Sequence, residues 1–404
     1  MIKNKDPIKK IEIDGLDFKI FKSGIKKNNT DLLLVTFPKF SSISGVFTKS
    51  KTPSAAVIDC KNKVDLKNRS IRCLVVNSGN ANAFTGMKGT KTVYKITKFL
   101  SNLYNCNENE VFSSSTGVIG EELNPSKITS CIKNKKPVFV NSIEEAAKSI
   151  MTTDTKPKLA YEEIIIGDEL IKISGIAKGS GMIAPNLATM LSFIFTNADI
   201  NSNLLKTLLK RAVANSFNAI TVDSDQSTND MVSIFSTKAI KIGQNISLND
   251  KVVQKFEVAL KKLCLNLAKQ IVVDGEGAKK FVTINVINAK SLGSAKNIAF
   301  SIANSPLVKT AMAGEDPNWG RIVMGIGKSG EVVDTKKLKI KIGNYLVAEN
   351  GRVSETYDEK KLKEYIQWDS IEIEVNLKLG NDAFKCYTCD FTHDYININA
   401  DYRN

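Results

Sequence analysis

Histidine is nearly absent from this sequence: His393 is the one histidine among 404 residues. Any mechanism that requires histidine depends on this residue, and a metal site built from several histidines is excluded. His393 lies in a strand-like segment, which favours a structural role. A nucleophilic enzyme with this sequence would therefore use a lysine, a carboxylate or an α-amino group as its general base.

Arginine and long apolar runs are also scarce. Six of the 57 basic residues are arginine, and the lysines behind the net charge of +15 are scattered. Because nucleic-acid readers use arginine for bidentate contacts, we interpret these lysines as a solvated surface and expect no nucleic-acid partner. No apolar run reaches the ~18 residues that span a bilayer, and the N-terminus lacks the apolar stretch of a signal peptide. We expect a cytoplasmic protein with no membrane partner.

The seven cysteines follow no regular spacing, so reduced thiols are expected. Cys386, Cys389 and His393 have the spacing of zinc ligands, but the segment alternates as a strand does and directs the two thiols to opposite faces. We therefore expect no metal site. Glycine patterns at 325–330 and 179–184 lack the strand–helix context of a dinucleotide site, so no nucleotide cofactor is predicted either.

Hydrophobic periodicity predicts strands mixed with amphipathic helices. The predicted strands cover 32–37, 73–79, 163–177, 190–198, 231–243, 280–289 and 370–380. The predicted helices cover 91–104, 143–151, 203–218 and 251–271. Runs of strands separated by one or two helices indicate an α+β protein. A domain boundary is predicted near 280–295, where small and basic residues interrupt the pattern.

The most unusual segment is 178–195, in which small residues precede a strongly apolar strand. One interpretation is a tight connection between two strands, since glycine adopts backbone angles that other residues avoid. The alternative is that cleavage between Ala188 and Thr189 creates a nucleophile. Thr189 would then carry an α-amine, with an ordinary pKa of about 7.7–8.0, beside its own hydroxyl. This amine could take the hydroxyl proton without any histidine.

The motifs of one enzyme family favour the second interpretation. KGSGMIAPNLATML resembles the self-cleavage and nucleophile motif of the ornithine acetyltransferase family, the bifunctional glutamate N-acetyltransferases of arginine biosynthesis. Eight further segments resemble the family in order along the chain: SGVFTKS, NSGNANAFTG, SSTGVIGEEL, MTTDTKPK, SFNAITVDSDQSTNDM, VDGEGAKKF, AGEDPNWGRI and THDYININADYRN.

This resemblance implies an acyltransferase that moves the acetyl group of N-acetyl-L-ornithine to L-glutamate through an acetyl-threonine at Thr189. It implies self-cleavage into fragments 1–188 and 189–404, which stay associated as a tetramer of two of each. The implied fold is an αββα sandwich with an N-terminal-nucleophile-type layout over about 1–284, followed by a second, smaller α/β domain over about 285–404. No cofactor is implied, and acetyl-CoA is a second donor in some members.

The resemblance also implies the site residues. Thr116 and Gly117 match the oxyanion hole, where the loss of one donor typically costs ~100–1000-fold in turnover. The substrate-binding positions are Thr155, Lys178, Thr189, Glu276, Asn399 and Asn404. A substrate with a carboxylate and an amine needs a cation and an anion, which Lys178 and Glu276 supply. Without the resemblance, SSTG indicates a turn, and both charged residues indicate a solvated surface or loop.

The sequence departs from the family pattern at three positions. Asn404 stands where threonine or serine is usual, and Ser224 and Gln226 stand where glycine and threonine are more usual. Two other function classes remain open. A hydrolase with an N-terminal threonine, such as an aminopeptidase or amidase, would share the cleavage but not Glu276 or the DPNWGR and NADYR segments. A basic binding protein would stay uncut and would bind DNA in a salt-dependent manner.

Overall fold

The computed structural model describes residues 12–67, 69–184 and 190–401. These residues form two units. The larger contains 12–218 and 225–271, and the smaller contains 219–224 and 272–401. The sequence predicts a boundary near 280–295 and the resemblance implies one at about residue 285, whereas the contacts divide the chain between Ile271 and Val272.

One mixed sheet organises the larger unit. Its described strands are β1 (Asp17–Phe21), β2 (Leu32–Phe47), β3 (Ile71–Asn80), β4 (Val111–Val118), β5 (Phe139–Val140), β6 (Lys158–Ile166), β7 (Glu169–Lys178), β8 (Leu191–Ala198) and β9 (Met231–Ile240). Hydrogen bonds join them in the order β4-β3-β2-β9-β8-β7-β6, and β1 pairs with β2 and β5. The predicted strand 163–177 is in fact the hairpin of β6 and β7.

Strand β2 is long enough to belong to both halves of this sheet. Its first part pairs with β1 and β3, and Ser42–Phe47 pairs with β9. The register shifts between Thr36 and Ser41, where Phe40 has a φ of 66°. A positive φ at a non-glycine residue marks a local bend of the backbone. The bend allows the two halves to lie face to face as a sandwich.

A layer of aromatic side chains fills the space between the two halves. The rings of Phe18 and Phe195 have centroids 5.4 Å apart, and those of Phe37 and Phe235 are 5.1 Å apart. Phe18 and Phe37 come from the β1–β2 half, and the other two come from β8 and β9. Burial of such large apolar side chains provides most of the favourable free energy that holds two sheets together.

Helices cover the outer face of each half. The helices of the larger unit are α1 (Ala55–Val64), α2 (Gly86–Leu103), α3 (Pro125–Asn134), α4 (Ile143–Ser149), α5 (Ser202–Ala214) and α6 (Lys251–Val273). Leu100 of α2 lies in one apolar cluster with Leu34 and Val75. On the other half, a Cβ built at Gly175 of β7 would lie 2.9 Å from Leu267 of α6. The layers helix, sheet, sheet, helix confirm the expected αββα sandwich.

The smaller unit is a second sheet with its own helices. Its described strands are β10 (Phe281–Ala289), β11 (Lys339–Ile342), β12 (Tyr345–Glu349), β13 (Arg352–Val353), β14 (Ser370–Asn376) and β15 (Asp382–Cys389), in the order β13-β12-β11-β14-β10-β15. Its helices are α7 (Leu292–Ala303), α8 (Pro306–Ala313), α9 (Trp319–Gly327), α10 (Glu359–Ile366) and α11 (His393–Ala400). Apolar residues of β10, β14 and α7 share one buried cluster.

The structure corrects two interpretations in the smaller unit. The segment SLGSAKN, predicted to interrupt the pattern, begins α7, because the Ser291 side chain caps the helix by accepting the N–H of Ser294. His393 does not lie in a strand. It begins α11, which is capped by Thr392. Among the described residues, no three potential ligands come together to hold a metal ion, and no helix is long and apolar enough to cross a membrane.

Candidate active site

Thr116 and Gly117 lie at the end of β4, where this strand pairs in parallel with β3. Thr116 is buried, and Gly117 is opposite Gly79. Gly117 has a φ of 132°, and a Cβ built there would lie 2.3 Å from the carbonyl carbon of Gly79. No side chain fits in this space, so the backbone requires glycine at position 117. The strand end thus presents a hydroxyl and an amide in succession, as an oxyanion hole requires.

Lys178 is the last residue of β7 and is 2% exposed. Its Nζ donates a hydrogen bond to Thr116 Oγ1 over 3.3 Å. A hydroxyl oxygen that accepts from an ammonium group directs its own hydrogen toward another acceptor. The structure therefore brings two of the predicted site residues into contact, although 62 positions separate them in the sequence.

Asp154 fixes the strand end that carries Lys178. Its Oδ1 accepts the backbone N–H of Gly179 over 2.6 Å and the ammonium of Lys158 over 2.6 Å. Its Oδ2 accepts the N–H of Thr152 over 3.0 Å. One buried carboxylate thus connects the loop between α4 and β6 to the end of β7. The predicted substrate residue Thr155 follows Asp154 on this loop and is exposed.

The pKa of Asp154 is lowered to about 2. Burial by itself would raise it, but the positive charges of Lys158 and Lys178 and the N–H of Gly179 outweigh burial. Asp154 is therefore a carboxylate at neutral pH, and it provides a counter-charge for Lys178. Asp154 was not predicted as a site residue. The spacing of four residues between Asp154 and Lys158 is the sequence feature that could have indicated this ion pair.

Asn229 and Asp230 precede β9 and hold the strand ends around Thr116. Asn229 Nδ2 donates to the carbonyl oxygens of Ala81 and Ser115 over 2.8 and 2.7 Å. Asp230 Oδ1 accepts the backbone N–H of Met190 over 2.9 Å. Both residues lie in the SFNAITVDSDQSTNDM segment, but neither was predicted as a site residue.

Asp31 organises a loop that places a second lysine near the site. Its carboxylate accepts four successive backbone N–H groups, those of residues 23 to 26, over 2.6 to 3.1 Å. The stem of Lys26 covers Gly79, since a Cβ built at Gly79 would lie 2.9 Å from Lys26 Cγ. Burial lowers the pKa of Lys26, and the like charge of Lys178 lowers it further, while Asp31 and Asp154 oppose this.

In the smaller unit, Glu276 and Asn399 are in contact. Asn399 Nδ2 donates to Glu276 Oε2 over 2.8 Å, and Glu276 is 7% exposed. Helix α11 carries Asn399 and lies against Gly277, where a Cβ would be 2.5 Å from the backbone nitrogen of Tyr395. Two further predicted substrate residues are thus neighbours. Ala188, Thr189 and Asn404 lie outside the described residues.

A buried threonine hydroxyl, a crowded glycine and a charged lysine meet at the strand ends of an αββα sandwich. This is the kind of site with which an enzyme of the acyl-transfer class stabilises an oxyanion.

Comparison with known proteins identifies the family. The ArgJ family matches residues 17–404. An arginine biosynthesis bifunctional protein ArgJ from Agrobacterium fabrum is 46% identical over 387 residues, which are 95% of this chain and 93% of that protein. The solved structure of the argJ protein from Bacillus halodurans is 38% identical, with a TM-score of 0.50, and the match covers 52% of this chain and 99% of that chain. A solved ornithine acetyltransferase from Mycobacterium tuberculosis, complexed with ornithine, is 29% identical over 44% of this chain and 94% of that chain, with a TM-score of 0.36.

The chain belongs to the ArgJ family. This membership confirms the family resemblance and the prediction of an acyltransferase of arginine biosynthesis.

Proposed function

We propose that the protein transfers the acetyl group of N-acetyl-L-ornithine to L-glutamate by a ping-pong reaction through an acetyl-threonine at Thr189. We further propose that the chain becomes competent by cutting itself between Ala188 and Thr189. The observation that carries the proposal is the contact of Lys178 with Thr116 beside Gly117. It supports a site built to stabilise an oxyanion.

The reaction proceeds by two acyl transfers. The Thr189 hydroxyl oxygen attacks the acetyl carbonyl of N-acetylornithine, and the α-amine of Thr189 takes the hydroxyl proton. The charge that develops on the carbonyl oxygen is stabilised by the Thr116 hydroxyl and the Gly117 N–H. The α-ammonium then returns its proton to the departing amine, and ornithine leaves. In the second half, the amine of glutamate attacks the acetyl ester carbonyl and the C–O bond to Thr189 breaks; the α-amine of Thr189 takes a proton from the attacking nitrogen and gives it to the departing oxygen, which regenerates the Thr189 hydroxyl.

Charge complementarity supports the assignment of the substrate-binding residues. Lys178 is a buried cation and suits the substrate carboxylate, and Glu276 is a buried anion and suits the side-chain amine of ornithine. Asn399 holds the Glu276 carboxylate by a hydrogen bond, which supports a common role for the two residues. Thr155, Thr189 and Asn404 complete the proposed set on the strength of the family resemblance.

Chain lengths among relatives support the self-cleavage. The Agrobacterium protein is matched over nearly its full length by nearly all of this chain. The Bacillus halodurans chain is matched over 99% of its length by only 52% of this chain, so that chain is about half as long. Cleavage before residue 189 would likewise divide 404 residues nearly in half.

Several finer features stay predictions from the sequence. These are the absence of a cofactor, the use of acetyl-CoA as a second donor, a tetramer of two fragments of each kind, a cytoplasmic location, and the absence of nucleic-acid or membrane partners. An assay that compares N-acetylornithine with acetyl-CoA as donor to glutamate would decide whether acetyl-CoA is a second donor.

The substitution Thr189→Ala tests the proposed function, because one hydroxyl serves both cleavage and acetyl transfer. We expect denaturing electrophoresis of the purified wild-type protein to show two chains of about half mass, the smaller ending at Ala188. The Thr189→Ala protein should remain one full-length chain and lose at least about 1000-fold in transfer activity. Thr335→Ala, at an exposed threonine of the smaller unit, serves as the control and should match the wild type. A cut or active Thr189→Ala protein would require a different nucleophile.

A further inference from the structure

An open pocket of about 330 Å³ lies in the smaller unit. The turn between β11 and β12, the helix α10 and the strand β14 form it, and its lining includes Gly343, Tyr345, Glu364, Tyr365, Trp368 and Glu372. None of the predicted site residues that the structure describes lines this pocket. Sites for small molecules begin at about this size, and they combine aromatic walls with a few polar groups.

Three aromatic rings form the wall of the pocket. The ring centroids of Tyr345 and Tyr365 are 6.1 Å apart with the planes at 60°, and those of Tyr365 and Trp368 are 5.1 Å apart at 53°. Trp368 is one of two tryptophans in the sequence, and it is 63% exposed. A large aromatic side chain that stays in solvent beside two others indicates a surface that binds another molecule.

Hydrogen bonds and a glycine fix the central ring of this wall. The Tyr365 hydroxyl accepts the backbone N–H of Glu372 over 3.0 Å, and the N–H of Gly343 donates to the carbonyl oxygen of Glu372 over 2.8 Å. A Cβ built at Gly343 would lie 2.6 Å from the Tyr365 ring, so the ring lies directly on the glycine backbone. Because the protein itself orders this ring, the entropic cost of binding a ligand there is reduced.

Two carboxylates make the pocket acidic, although the chain has a net charge of +15. Glu364 is exposed and forms no ion pair with any residue in the described ranges. Glu372 lies 3.7 Å from Lys385 Nζ, and both side chains are exposed, so this pair contributes little. In the part of the chain that the structure describes, no lysine or arginine lies over the three rings. Aromatic faces and carboxylates both attract cations, so the pocket suits a cationic ligand.

We propose that this pocket binds a small molecule through a guanidinium group. A guanidinium is planar, stacks on aromatic faces and donates parallel hydrogen bonds to a carboxylate, so it uses both the rings and the glutamates. A primary ammonium is more strongly hydrated, and a quaternary ammonium donates no hydrogen bond. This binding site is independent of the proposed function, because none of its residues takes part in acetyl transfer.

Agmatine is the probe, because it carries a guanidinium but no carboxylate and so does not imitate an amino-acid substrate. N-carbamoylputrescine replaces the guanidinium with a neutral urea of nearly the same shape, and tetramethylammonium is a cation without a hydrogen-bond donor. Isothermal titration calorimetry of the purified protein measures the binding of each. The variants are Trp368→Ala, Trp368→Phe and Glu364→Gln. The control is Glu359→Gln, which removes the same charge from the same helix at a residue that pairs with Lys363 outside the pocket.

We expect agmatine to bind the wild-type protein with a Kd of about 1 mM or lower, and the other two probes to bind at least about tenfold more weakly. Trp368→Ala and Glu364→Gln should each weaken the binding of agmatine by about fivefold or more. Trp368→Phe should keep most of the affinity, because it keeps an aromatic face. Glu359→Gln should bind as the wild type does, and all four variants should transfer acetyl groups at the wild-type rate.

Absence of agmatine binding up to about 10 mM would overturn the proposal. Equal binding of either comparison probe would also overturn it, as would unchanged binding by both Trp368→Ala and Glu364→Gln. If Trp368→Ala lowers the thermal unfolding midpoint, Trp368→Phe decides: retained affinity supports a role for the ring, and lost affinity in a stably folded Trp368→Phe protein contradicts it. A wild-type protein that binds agmatine but transfers no acetyl group would refute the proposed function alone.

Discussion

The tolerance of the active site for a single methyl group differs sharply between neighbouring glycines. Gly117 and Gly120 both have positive φ values, 132° and 87°. At Gly117 a Cβ would meet the backbone of Gly79 at 2.3 Å, whereas at Gly120 it would meet nothing within 4 Å. A side chain at either glycine would be strained by the positive φ, but only at Gly117 would it also clash with neighbouring atoms. Comparing the two positions therefore separates backbone strain from steric exclusion.

We expect Gly117→Ala to be far more damaging than Gly120→Ala. Alanine at position 120 must adopt a positive φ, which should lower the unfolding free energy by about 1–2 kcal/mol. Transfer activity should be retained. Alanine at Gly117 must also push β3 and β4 apart, which adds about 1–3 kcal/mol and misplaces the Thr116 hydroxyl. Urea unfolding and the transfer assay measure the two effects. Equal losses in the two variants would show that crowding against Gly79 is unimportant.

At the scale of elements, the site depends on a link between a loop and a strand. Asp154 joins the α4–β6 loop to the end of β7 through Gly179, and it forms a buried ion pair with Lys158. Breaking a buried pair by removing one charge is costly, because the other charge stays buried without compensation. The end of β7 carries Lys178, so a loosened link also disturbs the contact with Thr116.

We expect Asp154→Asn to lower the unfolding free energy by about 3 kcal/mol at pH 7. Asp65→Asn is the control, since Asp65 pairs with Lys206 on the surface and should contribute less than about 1 kcal/mol. The depressed pKa of Asp154 also gives a pH signature. Its stabilising contribution is present above the ordinary pKa near 3.8 and is lost as the pH falls toward about 2. The variant and the wild type should therefore converge in stability across that window, and a constant difference would contradict the assignment.

The sequence predicts the regular elements better than it predicts the contacts between them. Seven strand segments and four helices have the correct type, because their apolar periodicity reflects the faces that they bury. The segment SSTGV indicates a turn when considered alone, yet it is the end of β4. This end of β4 consists of serine, threonine and glycine and is buried, so its sequence shows no alternation of apolar and polar residues. The pairing of β4 with β3 determines its structure.

In the candidate active site, too, the sequence predicts residues better than it predicts the contacts between them. The family resemblance predicts Thr116 and Lys178, and their contact follows from the fold. Asp154 and Asp230 lie in segments that resemble the family, but nothing in those segments distinguishes them from solvated loop carboxylates. Their burial arises because distant strands converge on them, as the bonds from Gly179 and Met190 show. Such roles depend on long-range contacts, which local sequence patterns do not record.

At the largest scale, the order of strands decides how the proposed fragments hold together. Fragment 1–188 would contribute β2 and β7, and fragment 189–404 would contribute β8 and β9. In the sheet of the larger unit, β9 and β8 lie between β2 and β7. Strands β8 and β9 of the second fragment would therefore be hydrogen-bonded to the first fragment along both of their outer edges, and the aromatic layer would join the two fragments again.

We expect the cut fragments to co-elute as one species in size-exclusion chromatography and to separate only when urea unfolds the protein. Because backbone hydrogen bonds and apolar burial hold the interface, 1 M NaCl should not dissociate it. Circular dichroism should show that loss of co-elution coincides with loss of secondary structure. Separation of the fragments by salt alone would contradict this arrangement.

The central position of β8 and β9 also constrains how such a protein is made. Either fragment by itself would expose unpaired strand edges that invite pairing with other molecules. With the proposed cleavage, both fragments would be synthesised as one polypeptide, and the break would follow closure of the sheet around its middle strands. A cell that translated the two pieces from separate messages would have to suppress aggregation of each before they met.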